Sequence, residues 1–289
     1  MLTRMEQIVV DFGPVRAVDH VDLTARSGEI VGLLGENGAG KSSLMNVLAG
    51  TFAPTEGRIL LDEKPVHIGN ALQAMHHGIR FIHQELNLCN DLRVFENMYL
   101  AQEILMPGGL LNKKEMAART AEVFRRMHID IDPWAVVGDL QIAEKQLVEI
   151  VRALLFKCDL IIMDEPTSAL STREVNNLFS IMRQLKNEGV GFIYISHKMP
   201  EIFEICDSYY VLRDGMLVGQ GNIADTDEKA ITEMMIGRSL ANDDFKTKPS
   251  FTTQVVAMKA ESVSGENFSD ISFALHKGEI LVFTGLQSS

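Results

Sequence analysis

The chain has 289 residues, of which 46% are hydrophobic and 23% are charged, and its formal net charge is −12. This length allows one large domain, or one domain and part of a second, and the apolar content is ample for a core. The net negative charge argues against a nucleic-acid partner, because proteins that bind nucleic acids normally carry a basic face. No apolar run approaches the roughly 18 residues that a membrane-spanning helix requires.

The first predicted strand and helix enclose a glycine-rich segment. An apolar run over 30–34 predicts a buried parallel strand, and the apolar spacing over 44–48 predicts a helix that ends at Gly50. The segment between them matches the phosphate-binding pattern G-x-x-x-x-G-K-[ST] and is followed by Ser43; its residues are Gly35, Glu36, Asn37, Gly38, Ala39, Gly40, Lys41 and Ser42. Main-chain N–H groups of such a loop face a polyphosphate, Lys41 is predicted to reach its β- and γ-phosphates, and Ser42 is predicted to hold Mg²⁺. A chance match in a glycine-rich turn is the alternative, and the flanking strand and helix make it less favoured.

The next predicted elements are a hairpin, a short strand and a helical region. Apolar runs over 57–61 and 66–68 flank the predicted turn Asp62-Glu63-Lys64-Pro65. Residues 79–82 are predicted to form a core strand, and the apolar spacing predicts a mainly helical region from about 85 to 139.

The second half of the sequence alternates strands and helices, as in a doubly wound sheet. Strands are predicted over 159–163 and 190–195, and the helix between them begins at a capping box in residues 171–174. A hairpin is predicted over 209–219, and a final helix over 228–236 is predicted to end at a glycine.

Four polar residues directly follow predicted core strands. Asp164 is predicted to hold Mg²⁺, and Glu165 is predicted to accept a proton from the water that attacks the γ-phosphate. Gln84 could contact the metal and the attacking water, and His197 could donate a hydrogen bond to the γ-phosphate. The alternative for each is an exposed polar residue at a strand end, and the shared position after a core strand favours a site.

In their order along the chain, the phosphate loop and these four residues resemble the nucleotide-binding cassette of ATP-driven membrane transporters, the ABC family. The resemblance implies an α/β P-loop NTPase fold with a mixed sheet core, an antiparallel β piece and a helical subdomain. It places the cassette at 1–240, with the helical subdomain at about 85–155. Residues 241–254 are polar and are predicted to be a linker, and 255–289 are expected to be the incomplete start of a second cassette.

The resemblance also implies ATP and Mg²⁺ as cofactors. Ser42, Gln84 and Asp164 take the places of metal ligands, and Phe12 takes the place of the aromatic residue that stacks on adenine. The alternative for Phe12 is a core residue within a strand.

One segment departs from the family pattern. Family members carry Leu-Ser-Gly-Gly-Gln at the start of a helix, where it meets the γ-phosphate of ATP in a second cassette. Here Leu140 is followed by Gln141, Ile142, Ala143 and Glu144, so the serine and both glycines are replaced. Ile142 fits sugar-import cassettes, whereas the loss of the serine leaves open whether ATP is hydrolysed in the partner's site.

Several segments resemble the ATP-binding subunits of monosaccharide importers. Residues 83–88, 193–198 and 237–240 are similar to those of ribose, galactose and xylose importers, and 129–133 are similar to the galactose/methyl-galactoside type. This implies a peripheral protein on the cytoplasmic face of the membrane. The three cysteines are scattered without metal-ligand spacing and are predicted to be reduced. The implied partners are a transmembrane sugar permease and, indirectly, a periplasmic or extracellular sugar-binding protein.

Such subunits contain two fused cassettes, and the sequence repeats accordingly. Gly278-Glu279-Ile280 repeats Gly28-Glu29-Ile30, and apolar positions around both segments correspond. We expect a truncated gene product or fragment, in which a cassette–cassette dimer requires another copy of the chain.

Three alternatives to an active importer subunit stay open. The chain could bind ATP without hydrolysing it, or it could be a soluble ABC ATPase that acts in DNA repair or on ribosomes. A GTPase or small kinase would share only the phosphate loop, and the segment Asn112-Lys113-Lys114-Glu115 lacks the aspartate needed for guanine selection.

Overall fold

The structure, a computed structural model, describes residues 1–83, 86–155, 158–168, 170–237, 255–265 and 268–283. The chain divides into two units, Met1–Arg238 and Ser239–Ser289. The predicted linker 241–254 lies outside the described residues, as does Gln84.

The first unit contains both strands and helices. Its strands are β1 (Leu2–Phe12), β2 (Val15–Arg26), β3 (Ile30–Leu34), β4 (Glu56–Leu61), β5 (Lys64–Val66), β6 (Ile79–Ile82), β7 (Leu160–Asp164), β8 (Gly191–Ile195), β9 (Ser208–Arg213) and β10 (Met216–Asn222). Its helices are α1 (Lys41–Leu48), α2 (Ala71–His76), α3 (Val94–Met98), α4 (Lys113–Arg126), α5 (Ile142–Leu154), α6 (Thr172–Asn187), α7 (Met199–Ile205) and α8 (Glu228–Ile236).

These strands form an antiparallel sheet and a mixed sheet within the described part of the first unit. The antiparallel sheet has the order β2-β1-β4-β5, and the mixed sheet has the order β10-β9-β3-β8-β7-β6. Only β10 runs antiparallel to its neighbour in the mixed sheet. The carboxyl ends of β3, β6, β7 and β8 therefore lie at one edge, where the segments that follow them can meet.

Side chains along the central strands point alternately to the two faces of the mixed sheet, and this divides the core into two layers. Ile161 and Met163 of β7 pack in a cluster with helices α5 and α6, whereas Leu160 and Ile162 pack in a second cluster with α1 and the antiparallel sheet. Successive side chains of a strand point to opposite faces, so a strand buried on both faces is a continuous apolar run. The mixed sheet is thus the middle layer, with a buried cluster packed on each of its faces.

The predicted fold class is confirmed in its mixed sheet, antiparallel piece and helical segment, whereas the start of a second cassette stays a prediction. The strands β3 and β6 and the helix α8 have the predicted bounds, and α8 ends at Gly237 with φ of 78°. The predicted capping box also forms, because the Ser171 N–H donates to Glu174 Oε2 at 2.6 Å.

Two predictions about local structure were wrong. The region predicted as mainly helical over 85–139 contains the short helix α3 and the longer helix α4, with irregular backbone and a Leu105–Leu111 bridge between them. Gly108 and Gly109, both at positive φ, turn the chain there and prevent a continuous helix. The first hairpin turn is also shorter than predicted, so Pro65 lies inside β5. That position is tolerated because β5 is an edge strand.

The second unit contains an antiparallel pair, β11 (Val256–Gly265) and β12 (Phe268–His276). This pair carries the same irregularity as β1 and β2. Ser262 has φ of 45° and its N–H donates to the Ser272 hydroxyl at 2.8 Å; Gln7 has φ of 51° and its N–H donates to Asp22 Oδ1 at 2.7 Å. Each is a bulge held by a side chain from the opposite strand.

Across the described residues of both units, no helix combines the length and the apolar composition that a bilayer crossing requires.

Candidate nucleotide-binding site

The glycine-rich loop between β3 and α1 has a conformation that side chains would prevent. Gly35 has φ of 148°, and a Cβ there would lie 2.4 Å from the Leu212 carbonyl oxygen. Gly40 has φ of 96°, and a Cβ there would lie 2.4 Å from the Ala17 carbonyl oxygen. The two glycines allow β2 and the end of β9 to approach the loop closely, and Gly40 precedes the first residue of α1. The loop thus presents main-chain N–H groups and a helix N-terminus on one side.

Lys41 places its ammonium group within this loop. Its Nζ donates to the carbonyl oxygens of Gly35 at 2.8 Å and Glu36 at 2.9 Å. Burial lowers the pKa of Lys41, and the carboxylates of Asp164 and Glu165 oppose that shift. The loop carbonyls therefore fix a positive charge at the first turn of α1.

Ser42 and Asp164 bring two oxygen donors together. The Ser42 hydroxyl donates to Asp164 Oδ2 at 3.4 Å, across 122 positions of sequence. Burial raises the pKa of Asp164, and the adjacent Glu165 carboxylate raises it further. A bound cation would offset the free-energy cost of burying one ionised carboxylate beside another. The oxygen donors of Ser42 and Asp164 therefore suit a hard divalent metal ion.

Glu165 lies directly after β7 in a strained conformation, with φ of 46°. Its Oε1 lies 2.9 Å from Nδ1 of His197, and its N–H donates to the Ile195 carbonyl oxygen at 2.9 Å. The His197 side chain is 62% exposed, whereas that of Glu165 is 20% exposed. The imidazole therefore faces solvent while one ring nitrogen contacts the carboxylate. Strain of this kind is retained where the surrounding structure fixes it.

Eight of the predicted residues line one cavity of about 340 Å³, whereas His197 and Phe12 do not. Its lining residues are Ala17, Asn37, Gly38, Gly40, Lys41, Ser42, Ser43, Asp164 and Glu165. The volume is in the range of ordinary ligand sites. Ala17 was missed by sequence reasoning, and no local signal marks it, because β2 reaches the loop only through the fold. Ala39 is buried behind the loop, and Glu36 is exposed beside it.

Phe12 lies at the end of β1, immediately before the turn that leads to β2 and Ala17. It is 51% exposed and contacts Phe52 edge-on, with ring centroids 5.4 Å apart. The alternative that Phe12 is a core residue is therefore wrong, and about half of its surface is open to solvent. Gln84 lies outside the described residues; the electrostatic effect of its neighbour His83 lowers the pKa of Asp164, although burial outweighs it.

The segment that departs from the family pattern does not line this cavity. It forms the start of α5, where Ile142 is 56% exposed and Ala143 is buried. The Gln141 N–H donates to Glu144 Oε2 at 2.8 Å, so a carboxylate lies at the helix N-terminus. Further along α5, Gln146 Nε2 donates to the Pro166 carbonyl oxygen, which connects this helix to the loop after Glu165.

A family model described as ABC transporter matches residues 18–168, which include the phosphate loop, the segment at 140–144 and the Asp164–Glu165 pair. This match covers more than half of the chain. The chain belongs to the ABC transporter family. All lining residues of the cavity except Ala17 lie within the matched segment.

Similar proteins agree with this assignment. A ribose import ATP-binding protein of Streptococcus agalactiae is 41% identical over 99% of this chain and 58% of its own length. A protein of Burkholderia cenocepacia, provisionally named for ribose, galactose and methyl galactoside import, is 44% identical over 96% of this chain and 53% of its own length. The chain thus spans little more than half the length of these relatives.

A solved structure has the same fold. The crystal structure of the ADP conformation of an ATP-binding cassette from an ABC transporter matches with a TM-score of 0.70 and 26% identity, over 82% of this chain and 99% of the other.

Proposed function

We propose that this chain binds and hydrolyses ATP and that it energises the import of a monosaccharide, of the ribose or galactose/methyl-galactoside type, through a membrane permease. The observation that carries the proposal is the convergence of Lys41, the Ser42–Asp164 pair and the Glu165–His197 pair at one edge of the mixed sheet. The names of the sugar-import relatives support the substrate class.

Each residue has a role in this proposal. The loop N–H groups and Lys41 bind the β- and γ-phosphates, and Phe12 stacks on the adenine ring. Glu165 accepts the proton of the attacking water. His197 donates from Nε2 to the γ-phosphate when both of its ring nitrogens carry protons, with Nδ1–H donated to Glu165. Gln84, after β6, is assigned to the metal and the attacking water. These assignments follow from the family order of the motifs and from the contacts above.

The donor chemistry of Ser42 and Asp164 fits Mg²⁺. A hydroxyl and a carboxylate are hard oxygen ligands, and the raised pKa of Asp164 is the mark of a carboxylate whose charge a cation would stabilise. When bound, Mg²⁺ supplies positive charge to the β- and γ-phosphate oxygens. Ser42 and Asp164 would hold it, together with Gln84.

The proposed partners follow from where the segment 140–144 lies. This segment (Gln141, Ile142, Ala143 and Glu144) does not line the cavity of its own cassette. We therefore infer that it meets ATP in a second cassette within a dimer.

The other proposed partners are those of an importer: a membrane permease and, indirectly, an external sugar-binding protein. This chain is proposed to be peripheral on the cytoplasmic face. No nucleic acid takes part.

The domain limits are also proposals. We assign residues 1–240 to one cassette and 255–289 to the start of a second, joined by 241–254. The shared bulge of the two hairpins, at Gln7 and Ser262, supports this duplication.

A second candidate, binding of ATP without hydrolysis, is favoured by the start of α5. Gln141 takes the place of the serine that family members offer to a partner's γ-phosphate, and its N–H donates to the Glu144 carboxylate. A buried methyl group at Ala143 takes the place of a glycine.

Calorimetry and phosphate release separate the two candidates. Titration with ATP and Mg²⁺ should give heat for the unaltered chain and none for Lys41→Ala, and binding to Lys41→Ala with unchanged affinity would refute the site. Steady phosphate release that Glu165→Gln abolishes supports hydrolysis, whereas binding without release supports the second candidate. Co-purification with a sugar permease, rather than with RNA or DNA, tests the importer assignment.

A further inference from the structure

A buried carboxylate lies beneath the proposed catalytic pair. Glu201, in the first turn of α7, is 8% exposed. The Thr167 hydroxyl lies 2.8 Å from each of its oxygens, the Tyr194 hydroxyl donates to Oε2 at 2.7 Å, and Lys198 Nζ lies 3.1 Å from Oε1. A carboxylate is retained in a protein interior only when such donors surround it, and hydrogen bonds to a charged acceptor are the stronger kind.

These donors come from the two segments that carry Glu165 and His197. Thr167 is two residues after Glu165, in the loop that follows β7. Lys198 directly follows His197, and its Nζ also donates to the Thr167 carbonyl oxygen at 3.0 Å. One carboxylate therefore binds both segments.

The residue before His197 is attached to the same group. The Ser196 hydroxyl lies 3.3 Å from Glu201 Oε2 and accepts from the Lys198 N–H at 3.1 Å. Both neighbours of His197 are thus connected to Glu201, whereas the imidazole itself is exposed. The backbone on either side of the ring is fixed and the ring is left accessible.

The backbone at Glu165 has a conformation that requires contacts to hold it. Its left-handed φ of 46° is unfavourable for a residue other than glycine and persists only where neighbouring contacts impose it. The Glu165 N–H bond to Ile195 holds one end of the loop, and the Thr167–Glu201 bonds hold the other.

We propose that Glu201 is a positioning residue, which keeps Glu165 and His197 in hydrogen-bond contact by binding Thr167 on one side and Ser196 and Lys198 on the other. Glu201 does not touch nucleotide; it acts through the two residues that do. The inference rests on the proposed ATPase function for its kinetic consequence, but the contact between Glu165 and His197 can be measured without it.

The kinetic test uses Glu201→Gln in the full chain, with Glu204→Gln as the matched control. Glu204 is on the same helix, is exposed, and pairs with Arg183. Because a displacement of about 1 Å in a catalytic group reduces rates by up to about 100-fold, we expect kcat for ATP hydrolysis to fall at least about tenfold in Glu201→Gln. We expect the KM for ATP to stay within about twofold, since the phosphate loop is untouched. Glu204→Gln should match the unaltered chain. An unchanged kcat in Glu201→Gln overturns the proposal, as does a KM that rises in step with a falling Tm, which would show a structural role alone.

A second readout is the tautomer of His197, measured by ¹⁵N chemical shifts of the ring at about pH 8, where histidine is ordinarily neutral. Nδ1 beside a carboxylate is the protonated nitrogen, because an ionised carboxylate only accepts hydrogen bonds. We expect this tautomer in the unaltered chain and in Glu204→Gln, and its loss in Glu201→Gln.

The outcomes are distinguishable. If the unaltered chain releases no phosphate, the hydrolysis part of the proposed function fails, and retention or loss of the tautomer in Glu201→Gln decides the positioning role. If Glu201→Gln does not fold, Thr167→Val and Tyr194→Phe each remove one hydroxyl from the carboxylate. Thr167→Val should then reduce kcat and the Nδ1 tautomer more than Tyr194→Phe, since only Thr167 lies on the Glu165 loop; equal or absent effects overturn the proposal.

Discussion

Nδ1 of His197 and Oε1 of Glu165 lie 2.9 Å apart although 32 positions separate the two residues in the chain. The contact exists because β7 and β8 are parallel neighbours, so the residues that follow them meet at one edge.

Glu165→Gln should abolish hydrolysis while leaving ATP binding intact. The amide cannot accept the proton of the attacking water, and removing a general base reduces rates by about 100-fold or more. Phosphate release and calorimetry measure the two effects separately. Glu122→Gln, on the exposed side of α4, is the control and should leave both unchanged. Turnover that survives in Glu165→Gln would contradict the assigned role.

Asp164→Asn should raise stability at neutral pH and weaken metal-dependent nucleotide binding. Burial and Glu165 raise the folded-state pKa of Asp164, so its ionised form opposes folding. The loss of folding stability caused by ionisation of Asp164 is absent below the ordinary pKa of about 3.9. It grows as the pH rises from there to the folded-state pKa, and it is complete above the folded-state pKa. The Tm advantage of Asp164→Asn should therefore be largest near neutrality and shrink toward about pH 4. Asp130→Asn, at an exposed position, should show no such trend, and a Tm advantage of Asp164→Asn that is constant with pH would refute the explanation.

Gly40→Ala should destabilise the chain more than Gly38→Ala. Both glycines have positive φ, which costs about 1–2 kcal/mol with a side chain, but only at Gly40 would the new Cβ meet a carbonyl oxygen, at 2.4 Å. At Gly38 no atom lies within 4 Å of that position. Urea unfolding of the two variants isolates the close approach to Ala17. Equal losses of unfolding free energy would show that backbone conformation alone sets the cost.

Phe12→Ala should weaken ATP binding about tenfold, because stacking of a base on an aromatic ring contributes about 1–3 kcal/mol. We expect this because the Phe12 side chain is half exposed and can contact a base. Phe12→Tyr, which retains a ring, is the control. Since any base has a π-face, GTP binding should weaken by a similar factor. A loss confined to ATP would indicate base-specific contacts elsewhere.

Restoring the family residues at the start of α5 should increase hydrolysis. Gln141→Ser places a hydroxyl at the helix N-terminus, where a partner's γ-phosphate is proposed to bind, and Ala143→Gly removes a methyl group beside the N–H groups there. We expect phosphate release to rise several-fold, as for added donors to a developing charge, and to depend on protein concentration. The same pair of substitutions combined with Glu165→Gln should remain inactive. A concentration-independent rate would argue against action in a partner's site.

Local patterns predicted much of the fold. The strands β3 and β6 and the helix α8 have the expected bounds because each is a short periodic run with clear ends, such as Gly237. The region around α3 and α4 was predicted less well, since its apolar spacing suits helices but its chain reversals depend on glycines at positive φ and on a bridge between distant residues.

The site was predictable where its residues follow core strands. Asp164, Glu165 and His197 meet as the parallel topology requires. Ala17 and Glu201 were not foreseen, because each contributes through contacts with segments far away in sequence, and no residue pattern around either one marks that role.

The bond from Gln146 to the Pro166 carbonyl has a mechanical consequence. It fastens α5 to one end of a short loop whose next residue, Thr167, is fastened to α7 through Glu201. A swing of α5 against the strands must either release that amide or drag the loop, and Glu165 with it. The loop is thus hydrogen-bonded to one helix through Pro166 and to another through Thr167, so a change in the tilt of α5 would be transmitted to Glu165.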